Sequence, residues 1–477
     1  MTMARLLEPD ICVIGAGSGG LTVAAAAAAF GVPVVLIERA KMGGDCLNYG
    51  CVPSKSLLSA ARQAHLLSQG AAFGIADTVP DVDFAGVMRH VEEVIAAIAP
   101  HDSVERFTAL GVKVLKEEAR FKDARTIVAG DHEVRARRFV IATGSSPAVP
   151  PIPGLETVPY DTNETIFANK RRPAHLIVIG AGPVGLELAQ AYRRLGSRVT
   201  VVEAAKALGR DDPELVAVVL QRLRAEGIEI IEETRVERLE RQGRSGVRVH
   251  LRTEENVRVL DGSHLLVATG RRPNIETLKL DSAAVAHDAR GIKVSPAMRT
   301  TNRRVYAIGD VPGGQQFTHA ANDHAGLVIR ALLFRLPAKE RPGQIPRTVY
   351  TEPELAQIGL SEAEAGRKGE QVAVIRCPFT ENDRARTERA TEGLIKLVVG
   401  RRGRILGVSI VGHEAGEMMH FWSLALSKRM KLRDIASYVA PYPTFGEIGK
   451  RAAISHLSIA ARSILLRRLI GFLRLFG

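Results

Sequence analysis

Two cysteines five residues apart lie in the stretch GGDCLNYGCVPSK, residues 43–55, among glycines and before a closing proline and lysine. Cys46 and Cys51 could be metal ligands, a structural disulfide or a redox couple. Structural zinc needs four Cys or His ligands at short spacings, and this stretch supplies two. Pro53 and the residues after it predict a helix that begins near Cys51, where the helix field would lower a thiol pKa. A redox couple is therefore the better interpretation.

A glycine-rich strand–helix–strand unit precedes the cysteines and is expected to position them. In DICVIGAGSGGLTVAAAAAAFGVPVVLIER, an apolar strand meets Gly15, Gly17 and Gly20, an alanine-rich helix follows, and a second apolar strand ends at Glu38. Such glycines let the backbone approach a pyrophosphate at the helix N-terminus, and the terminal acid accepts hydrogen bonds from ribose hydroxyls. The complete unit predicts a dinucleotide site beside the two cysteines.

The same pattern recurs in HLIVIGAGPVGLELAQAYRRLGSRVTVVEAA, with three glycines after one strand and an acid at the end of the next. These residues are Gly180, Gly182, Gly185 and Glu203. Two dinucleotides are therefore expected, because a tightly bound flavin and a diffusible nicotinamide form a sensible electron relay. Glu203 would bind the 2′-hydroxyl of NAD and repel the 2′-phosphate of NADP. NADH is the expected nucleotide, although Lys206 and Arg210 could serve NADPH instead.

The amino-acid composition limits the classes of protein to which this chain can belong. The 477 residues are 46% hydrophobic and include 44 glycines, which describes a globular chain of several domains. Four cysteines in so long a chain do not form the disulfide framework of secreted proteins, which favours the cytoplasm and a catalytic disulfide. No segment offers the roughly 20 apolar residues of a membrane span. The net charge of +13 is spread along the sequence, so no nucleic-acid partner is expected.

The stretch ARSILLRRLIGFLRLFG, residues 461–477, differs from the rest and is here named the basic tail. It is dense in Leu, Ile and Phe and contains no acid. Its arginines are Arg462, Arg467, Arg468 and Arg474. The basic tail could lie on an anionic membrane surface or pack onto a dimer. The protein is expected in the cytoplasm, with peripheral contact to the inner face of the membrane as one alternative.

The cysteine segment resembles the active-site segment of the FAD-dependent pyridine nucleotide-disulfide oxidoreductases of class I, with mercuric reductases and dihydrolipoamide dehydrogenases most similar. The resemblance includes both nucleotide fingerprints and the stretches IATGSSP at 141–147, VATGRRPN at 267–274, VYAIGD at 305–310 and YTEPELAQIGLSE at 350–362. It implies an α/β fold of two Rossmann-like nucleotide-binding domains, for FAD and NAD, with an α+β dimerisation domain. The implied boundaries are residues 1–150 and 271–345 for FAD, 151–270 for NAD, 346–460 for dimerisation and 461–477 for the basic tail.

The resemblance also implies roles for individual residues. Cys46 would be the interchange thiol that attacks the substrate, and Cys51 the charge-transfer thiolate that receives electrons from reduced FAD. Lys55 and Glu187 would pair near the flavin N5 and stabilise negative charge there. The residues implied for FAD are Gly15, Gly17, Gly20, Glu38, Lys55, Ala119, Gly144 and Asp310. The residues implied for the nicotinamide nucleotide are Gly180, Gly182, Gly185, Glu203, Val236 and Gly270.

The stretch VAPYPTFGEIGKRAA departs from the dihydrolipoamide dehydrogenases and glutathione reductases, which carry a His before the Pro-Thr pair. Tyr442 occupies that position here, and Glu447 is retained. A tyrosine with a pKa of about 10 is a poor base at neutral pH. Mercuric reductases resemble this chain in having the tyrosine, but they carry a vicinal cysteine pair that RRLIGFLRLFG lacks. In a homodimer Tyr442 would either contact substrate near Cys46 of the partner subunit or pack at the interface.

The leading expectation is a mercuric-reductase-like enzyme that passes electrons from NADH through FAD and the Cys46/Cys51 couple to a metal ion, a disulfide or a small electrophile. A dihydrolipoamide dehydrogenase with altered acid–base chemistry is the alternative within the same class. A flavoprotein that docks to a membrane surface or a partner through the basic tail is the alternative from another class. No resident metal site is expected, because GHEAGEMMH at 412–420 does not have the HExxH spacing.

Overall fold

A computed structural model of the chain describes residues 5–244, 246–252, 257–459 and 464–476, so that Arg462 of the basic tail lies outside the described residues. The chain divides into two compact units. The first unit contains residues 1–206 and 228–340, and the second contains residues 207–227 and 341–477. The domain boundaries expected from the sequence stay predictions.

The strands are short and most of them belong to the first unit. In chain order they are β1 (Arg5–Leu7), β2 (Ile11–Ile14), β3 (Val34–Ile37), β4 (Lys113–Leu115), β5 (Ala119–Asp123), β6 (Thr126–Ala129), β7 (His132–Val134), β8 (Arg138–Ile141), β9 (Ser145–Pro147), β10 (His175–Ile179), β11 (Arg198–Val202), β12 (Glu229–Ile231), β13 (Arg235–Gln242), β14 (Gly246–Arg252), β15 (Val257–Gly262), β16 (His264–Val267), β17 (Arg271–Pro273), β18 (His287–Asp288), β19 (Gly291–Ile292), β20 (Val305–Ala307), β21 (Arg347–Val349), β22 (Glu354–Gly359), β23 (Ala373–Pro378), β24 (Leu394–Val399) and β25 (Ile405–Gly412).

The helices lie between and after these strands in the chain, with α2 to α5 in one run before β4 and α11 to α14 after β25. In chain order they are α1 (Ser18–Ala29), α2 (Gly44–Asn48), α3 (Cys51–Leu67), α4 (Phe84–Ile98), α5 (Val104–Ala109), α6 (Pro183–Arg194), α7 (Pro213–Ala225), α8 (Thr318–Leu333), α9 (Glu362–Arg367), α10 (Asp383–Thr387), α11 (Ala415–Ser427), α12 (Leu432–Ser437), α13 (Glu447–Ile459) and α14 (Ile464–Leu473).

Two parallel sheets of the first unit carry the glycine-rich turns. One has the strand order β20–β8–β2–β3–β4, and the other has the order β12–β11–β10–β16. Every residue of β2 and β3 is buried, as expected for central strands of a parallel sheet that is covered on both faces. The glycine-rich turns follow β2 and β10 and lead into α1 and α6. Both nucleotide fingerprints therefore lie at the carboxyl ends of parallel strands, where α/β sheets bind ligands.

The second unit is built on an antiparallel sheet with the strand order β21–β22–β25–β24–β23. Trp422 of α11 and Phe379 are buried in its core with aliphatic side chains of the sheet. Helix α7, which lies between β11 and β12 in the chain, belongs to this unit. Lys396 of β24, with 4% of its side chain exposed, holds Asp212 at 2.7 Å and Glu214 at 2.9 Å. A buried charge is costly unless it is paired, so these ion pairs fix the start of α7 on the sheet.

The predicted α/β fold is confirmed: two parallel sheets carry the glycine-rich turns, and the second unit has an antiparallel sheet with helices. No helix within the described ranges is both long enough and apolar enough to cross a membrane.

Candidate redox and nucleotide-binding site

The two cysteines lie on consecutive short and long helices of the first unit. Cys46 is on α2 and is half-buried, while Cys51 is the exposed first residue of α3. Both are free thiols in the structure. The helix predicted to begin near Cys51 is thus confirmed. The sulfur of Cys51 is 3.3 Å from the hydroxyl oxygen of Thr318, the first residue of α8.

The environment polarises the two thiols in opposite directions. The Cys46 thiol donates a hydrogen bond to the Cys51 sulfur, and this bond, with help from the Thr318 hydroxyl and the charge of Lys55, lowers the pKa of Cys51 to about 6. The same hydrogen bond, together with burial and the nearby Cys51 and Asp45 charges, raises the pKa of Cys46. At neutral pH Cys51 is therefore a thiolate and Cys46 a thiol. The pair therefore contains a nucleophile, the Cys51 thiolate, and a proton donor, the Cys46 thiol.

Lys55 and Glu187 form an ion pair between α3 and α6. The ammonium nitrogen of Lys55 is 2.7 Å from a carboxylate oxygen of Glu187, and the side chain of Glu187 is only 6% exposed. Lys55 follows Cys51 by four residues on α3, so both project from the same face of that helix. The pairing expected from the sequence is present, and it joins the cysteine helix to the helix of the second nucleotide fingerprint.

Arg271 connects the cysteine segment to the strand that ends near Asp310. Its guanidinium is 3.2 Å from the carboxylate of Asp45 and donates to the Ser145 hydroxyl at 2.7 Å. Ser145 in turn donates to Asp310 at 2.6 Å. Asn163 donates to Asp45 at 3.2 Å. Burial raises the pKa of Asp310, although Ser145 and Arg271 favour its ionised form. Arg271 therefore contacts both Asp45, which precedes Cys46 in the chain, and Asp310, which is expected at the flavin.

The first glycine-rich turn is shaped so that side chains would not fit at two of its three glycines. A Cβ at Gly20 would lie 2.0 Å from the carbonyl oxygen of Gly15, and Gly15 itself has a φ of +101°. A Cβ at Gly17, by contrast, would meet nothing within 4 Å, so this face of the turn is open to a ligand. Glu38 accepts hydrogen bonds at 2.6 Å from the backbone N–H groups of Ala16 and Ala40. The turn and the acid thus have the geometry of the cradle that dinucleotide-binding folds use for a pyrophosphate and a ribose, and their roles toward FAD stay a proposal.

The second turn repeats this geometry. A Cβ at Gly185 would lie 2.0 Å from the carbonyl oxygen of Gly180, while Gly182 faces open space. Glu203 accepts hydrogen bonds from the backbone N–H groups of Ala181 at 2.8 Å and Ala205 at 2.9 Å. The repeated cradle, on a second parallel sheet, supports the expectation of two dinucleotides.

The other residues expected at the nucleotides lie at the ends or edges of strands in the first unit. Ala119 begins β5 and is buried, and Val236 lies on β13. Gly144 has a φ of +66° and its carbonyl accepts from Asn274 at 3.0 Å. Gly270 has a φ of +131° and its carbonyl accepts from Ala148 at 2.9 Å. Their roles toward FAD and NAD remain proposals.

Tyr442 and Glu447 lie in the second unit. The side chain of Tyr442 is 68% exposed, and its hydroxyl donates to the carboxylate of Asp383 at 3.1 Å. This hydrogen bond and the charges of Asp383 and Glu447 raise the pKa of Tyr442. Glu447 is the first residue of α13. At neutral pH an even smaller fraction of Tyr442 than of an isolated phenol is therefore deprotonated and able to accept a proton.

Several site residues were missed by the sequence reasoning. Thr318 lies 267 positions from Cys51, and no local pattern connects the two residues. Arg271 lies in the stretch VATGRRPN, which gives no sign of its contact with Asp45. Asp383 has no local pattern that points to Tyr442. A signal was available for Asp45, because a charged residue next to a reactive thiol must influence its pKa.

Two dinucleotide cradles beside a polarised thiol pair define an enzyme that moves two electrons between a nicotinamide and a dithiol. Comparison with known proteins identifies the family. Residues 9–325 match the model of the pyridine nucleotide-disulphide oxidoreductases, and residues 345–453 match the dimerisation domain of the same proteins. The chain belongs to the FAD-dependent pyridine nucleotide-disulfide oxidoreductases, which confirms the predicted class of enzyme and the use of FAD and a pyridine nucleotide. The dimerisation domain supports the expected homodimer.

Similar proteins carry more than one activity. A mercuric reductase from Lysinibacillus sphaericus is 34% identical over 449 residues, covering 94% of this chain and 82% of that protein. A dihydrolipoyl dehydrogenase from Thermus scotoductus is 36% identical over 464 residues, covering 92% of this chain and 95% of that protein. The Cu(II) complex of the HOCl-induced flavoprotein disulfide reductase RclA from Escherichia coli has a TM-score of 0.82 at 27% identity, covering 92% of this chain and 98% of that one.

A resident metal site was also sought in the part of the chain that the structure describes. Among the described residues there is no group of three or more His, Cys, Asp or Glu side chains arranged to hold a metal ion.

Proposed function

We propose that this enzyme is an NADH-dependent reductase of the mercuric reductase type, which delivers two electrons through Cys46 and Cys51 to a soft metal ion. The observation that carries the proposal is the polarised thiol pair, with the pKa of Cys51 near 6 and that of Cys46 raised. Soft thiolate ligands select soft metal ions, and a thiolate is the reactive form of cysteine. A dihydrolipoamide dehydrogenase is the second candidate, because one similar protein has that name.

The residues of the first cradle fit FAD. Gly17 leaves room for the pyrophosphate, Glu38 offers a carboxylate for ribose hydroxyls, and Asp310 lies on the segment joined to the cysteines by Arg271. FAD, when bound, accepts hydride from a nicotinamide and passes the electron pair to a disulfide. The Lys55–Glu187 pair places a cation on the same helix face as Cys51. We assign to that cation the stabilisation of negative charge during reduction.

The thiols would bind the acceptor in two steps. Cys51 is a thiolate at neutral pH, and Cys46 becomes one when a soft metal ion displaces its proton to solvent. The overall reaction balances, because NADH and Hg(II) yield NAD⁺, elemental mercury and one proton. For a disulfide acceptor, NADH, one proton and the disulfide yield NAD⁺ and two thiols.

Tyr442 supports a metal ion over a dithiol as the partner of Cys46. Oxidation of a dithiol needs a group that accepts its protons, and a tyrosine whose pKa is raised by Asp383 cannot do so at neutral pH. A metal ion needs no such base, since it displaces the thiol proton by coordination. In a homodimer of the family type, we expect Tyr442 to approach Cys46 of the partner subunit.

Anaerobic NADH oxidation by the purified holoenzyme, with each of several acceptors, tests this function. We expect the kcat/KM for Hg(II) or Cu(II) to be at least about tenfold higher than the kcat/KM for lipoamide, glutathione disulfide or quinones. The Cys46→Ser variant is the control for acceptor reduction that bypasses the thiols. A quinone or disulfide that outperforms both metal ions would replace the metal ion as the proposed substrate.

The surroundings of Glu203 favour NADH over NADPH. Lys206, which could have held a 2′-phosphate, instead forms an ion pair with Glu233 at 2.7 Å. Glu233 is fixed beside the loop because its N–H donates to the carbonyl of Ala205 at 3.0 Å. The next residue, Thr234, donates from its backbone to the carbonyl of Glu203 at 3.0 Å. Two carboxylates therefore occupy the region in which a 2′-phosphate would need cations.

We expect kcat/KM for NADH to exceed that for NADPH by at least roughly tenfold. Glu233→Gln should raise kcat/KM for NADPH roughly threefold to fivefold, because Lys206 becomes available to the 2′-phosphate and an exposed ion pair contributes modestly. Adding Lys206→Gln to that variant is the matched control and should cancel the gain. Equal use of both nucleotides by the unmodified enzyme would contradict the assignment of Glu203.

A further inference from the structure

Helix α14, in the basic tail, is amphipathic, and all of its residues except the half-buried Leu466 are exposed. At 3.6 residues per turn, its large apolar side chains other than Ile464 fall on one side, and its arginines fall on the other side together with Ile464. The apolar side consists of Leu465, Leu466, Leu469, Ile470, Phe472 and Leu473. No residue of α14 is buried, and the exposed fraction is 77% for Leu465 and 51% for Leu469. So large an apolar surface on one short helix indicates an interaction site.

The opposite side of α14 is positively charged. Arg467 and Arg468 lie there, and Arg474 follows the helix directly. Residues 448–477 contain no Asp or Glu, although they contain six Lys and Arg residues. Helix α14 also lies beyond residue 453, where the match to the dimerisation domain ends. The matched dimerisation domain therefore does not include this helix.

We propose that α14 lies flat on the surface of a bilayer that contains anionic phospholipids. Its apolar side would enter the boundary between headgroups and acyl chains, and its arginines would reach up to the lipid phosphates. Ten residues of helix span only about 15 Å, half the thickness of the hydrocarbon core, so the helix lies on the membrane and does not cross it. The proposal goes beyond the reductase activity and does not depend on the identity of the acceptor.

The charge of the tail favours lipid over a second copy of the same helix. An isologous contact through the apolar sides of two α14 helices would leave both sets of arginines facing away from the contact, so it would make no use of their charge. An anionic bilayer offers phosphates to a segment with six Lys and Arg residues and no Asp or Glu, at about fivefold in binding per basic residue near the surface. The apolar side and the basic side thus specify the same partner.

Flotation of the full-length holoenzyme with vesicles tests the proposal. One set of vesicles is phosphatidylcholine alone, and the other contains equal parts of phosphatidylcholine and phosphatidylglycerol. We expect the protein to float with the anionic vesicles at low salt, to be partly released at high salt, and to stay unbound with the neutral vesicles. Absence of binding to anionic vesicles, or equal binding to both sets, would overturn the proposal.

Two variants with matched controls locate the contact on α14. Leu469→Asp should weaken vesicle binding at least about tenfold, whereas Val79→Asp, which places the same charge at a site that is 92% exposed in the first unit, should not. The double change Arg467→Gln and Arg468→Gln should weaken binding about thirtyfold, while Arg433→Gln should leave it unchanged.

The oligomeric state distinguishes the membrane from the partner subunit as the cover of α14. Light scattering in the absence of lipid should give the same dimer for the unmodified protein and for Leu469→Asp. NADH-dependent turnover should also be unchanged, because Leu469 is not part of the redox site. Loss of the dimer in Leu469→Asp, with vesicle binding unaffected, would assign the apolar side to the dimer interface and reject the membrane.

Discussion

Replacing Cys51 by serine should lower NADH-dependent turnover of a thiol-bound acceptor by at least about a thousandfold, because the stored thiolate is lost. The oxidised flavin of the two-electron-reduced enzyme should at the same time lose its long-wavelength absorbance. That absorbance requires a thiolate beside the ring, and Cys51 is the thiolate at neutral pH. Anaerobic titration with NADH or dithionite, followed by absorbance spectroscopy, measures the band, and steady-state assays measure turnover.

Cys46→Ser is the matched control for this change. It removes one sulfur from the same couple, but a serine hydroxyl can still donate a hydrogen bond to Cys51. Turnover should therefore be lost, whereas the long-wavelength absorbance should be present in this variant before any reductant is added, because there is no disulfide that must first be reduced. Survival of the band in Cys51→Ser, or its loss in Cys46→Ser alone, would reverse the roles that we assign to the two thiols.

The pH dependence of the band gives an independent check. The pKa of Cys51 is lowered, so the thiolate is present above a pH of about 6 and is lost as the pH falls through that value. Thr318→Val removes a hydrogen bond that favours the thiolate and should move this midpoint to higher pH. Thr318→Ser keeps the hydroxyl and should leave the midpoint in place.

Features encoded by neighbouring residues were predictable from the sequence. Glycine spacing and a terminal acid predicted both cradles, since a turn, a helix start and a strand end involve consecutive residues. The start of α3 at Cys51 was predictable for the same reason. Lys55 and Glu187 were paired through the family resemblance, because their separation of 132 positions carries no local signal.

Features that depend on the tertiary fold were not predictable. Thr318 and Arg271 reach the cysteine segment only because the chain returns to it after more than two hundred residues. The placement of α7 with the second unit depends on Lys396, a buried charge inside the apolar strand LIKLVV. A lysine in such a strand has no partner that the sequence identifies, since Asp212 lies 184 positions away. Ion pairs of this kind are set by the fold.

Replacing Tyr442 by histidine should raise dihydrolipoamide oxidation by an order of magnitude or more. General-base catalysis contributes about a hundredfold to ten-thousandfold, and the pKa of Tyr442, raised by its hydrogen bond to Asp383, prevents that contribution at neutral pH. A histidine has an ordinary pKa of about 6.5 and would accept a dithiol proton at pH 7. Glu447, five residues later at the start of α13, is retained to orient it.

Tyr442→Phe shows what loss of the Asp383 hydrogen bond does to activity by itself, because this change removes the hydroxyl and adds no proton acceptor. Lipoamide activity should stay low in this variant, so that a gain in Tyr442→His alone identifies general-base catalysis. Reduction of Hg(II) or Cu(II) should not improve in Tyr442→His, since coordination displaces the thiol proton without a base. Steady-state assays of both reactions across pH 6 to 9 would show the new base as a rising limb in the lipoamide profile only. Robust lipoamide turnover by the unmodified enzyme would instead show that Tyr442 does not limit dithiol chemistry, and dihydrolipoamide dehydrogenase would become the better assignment.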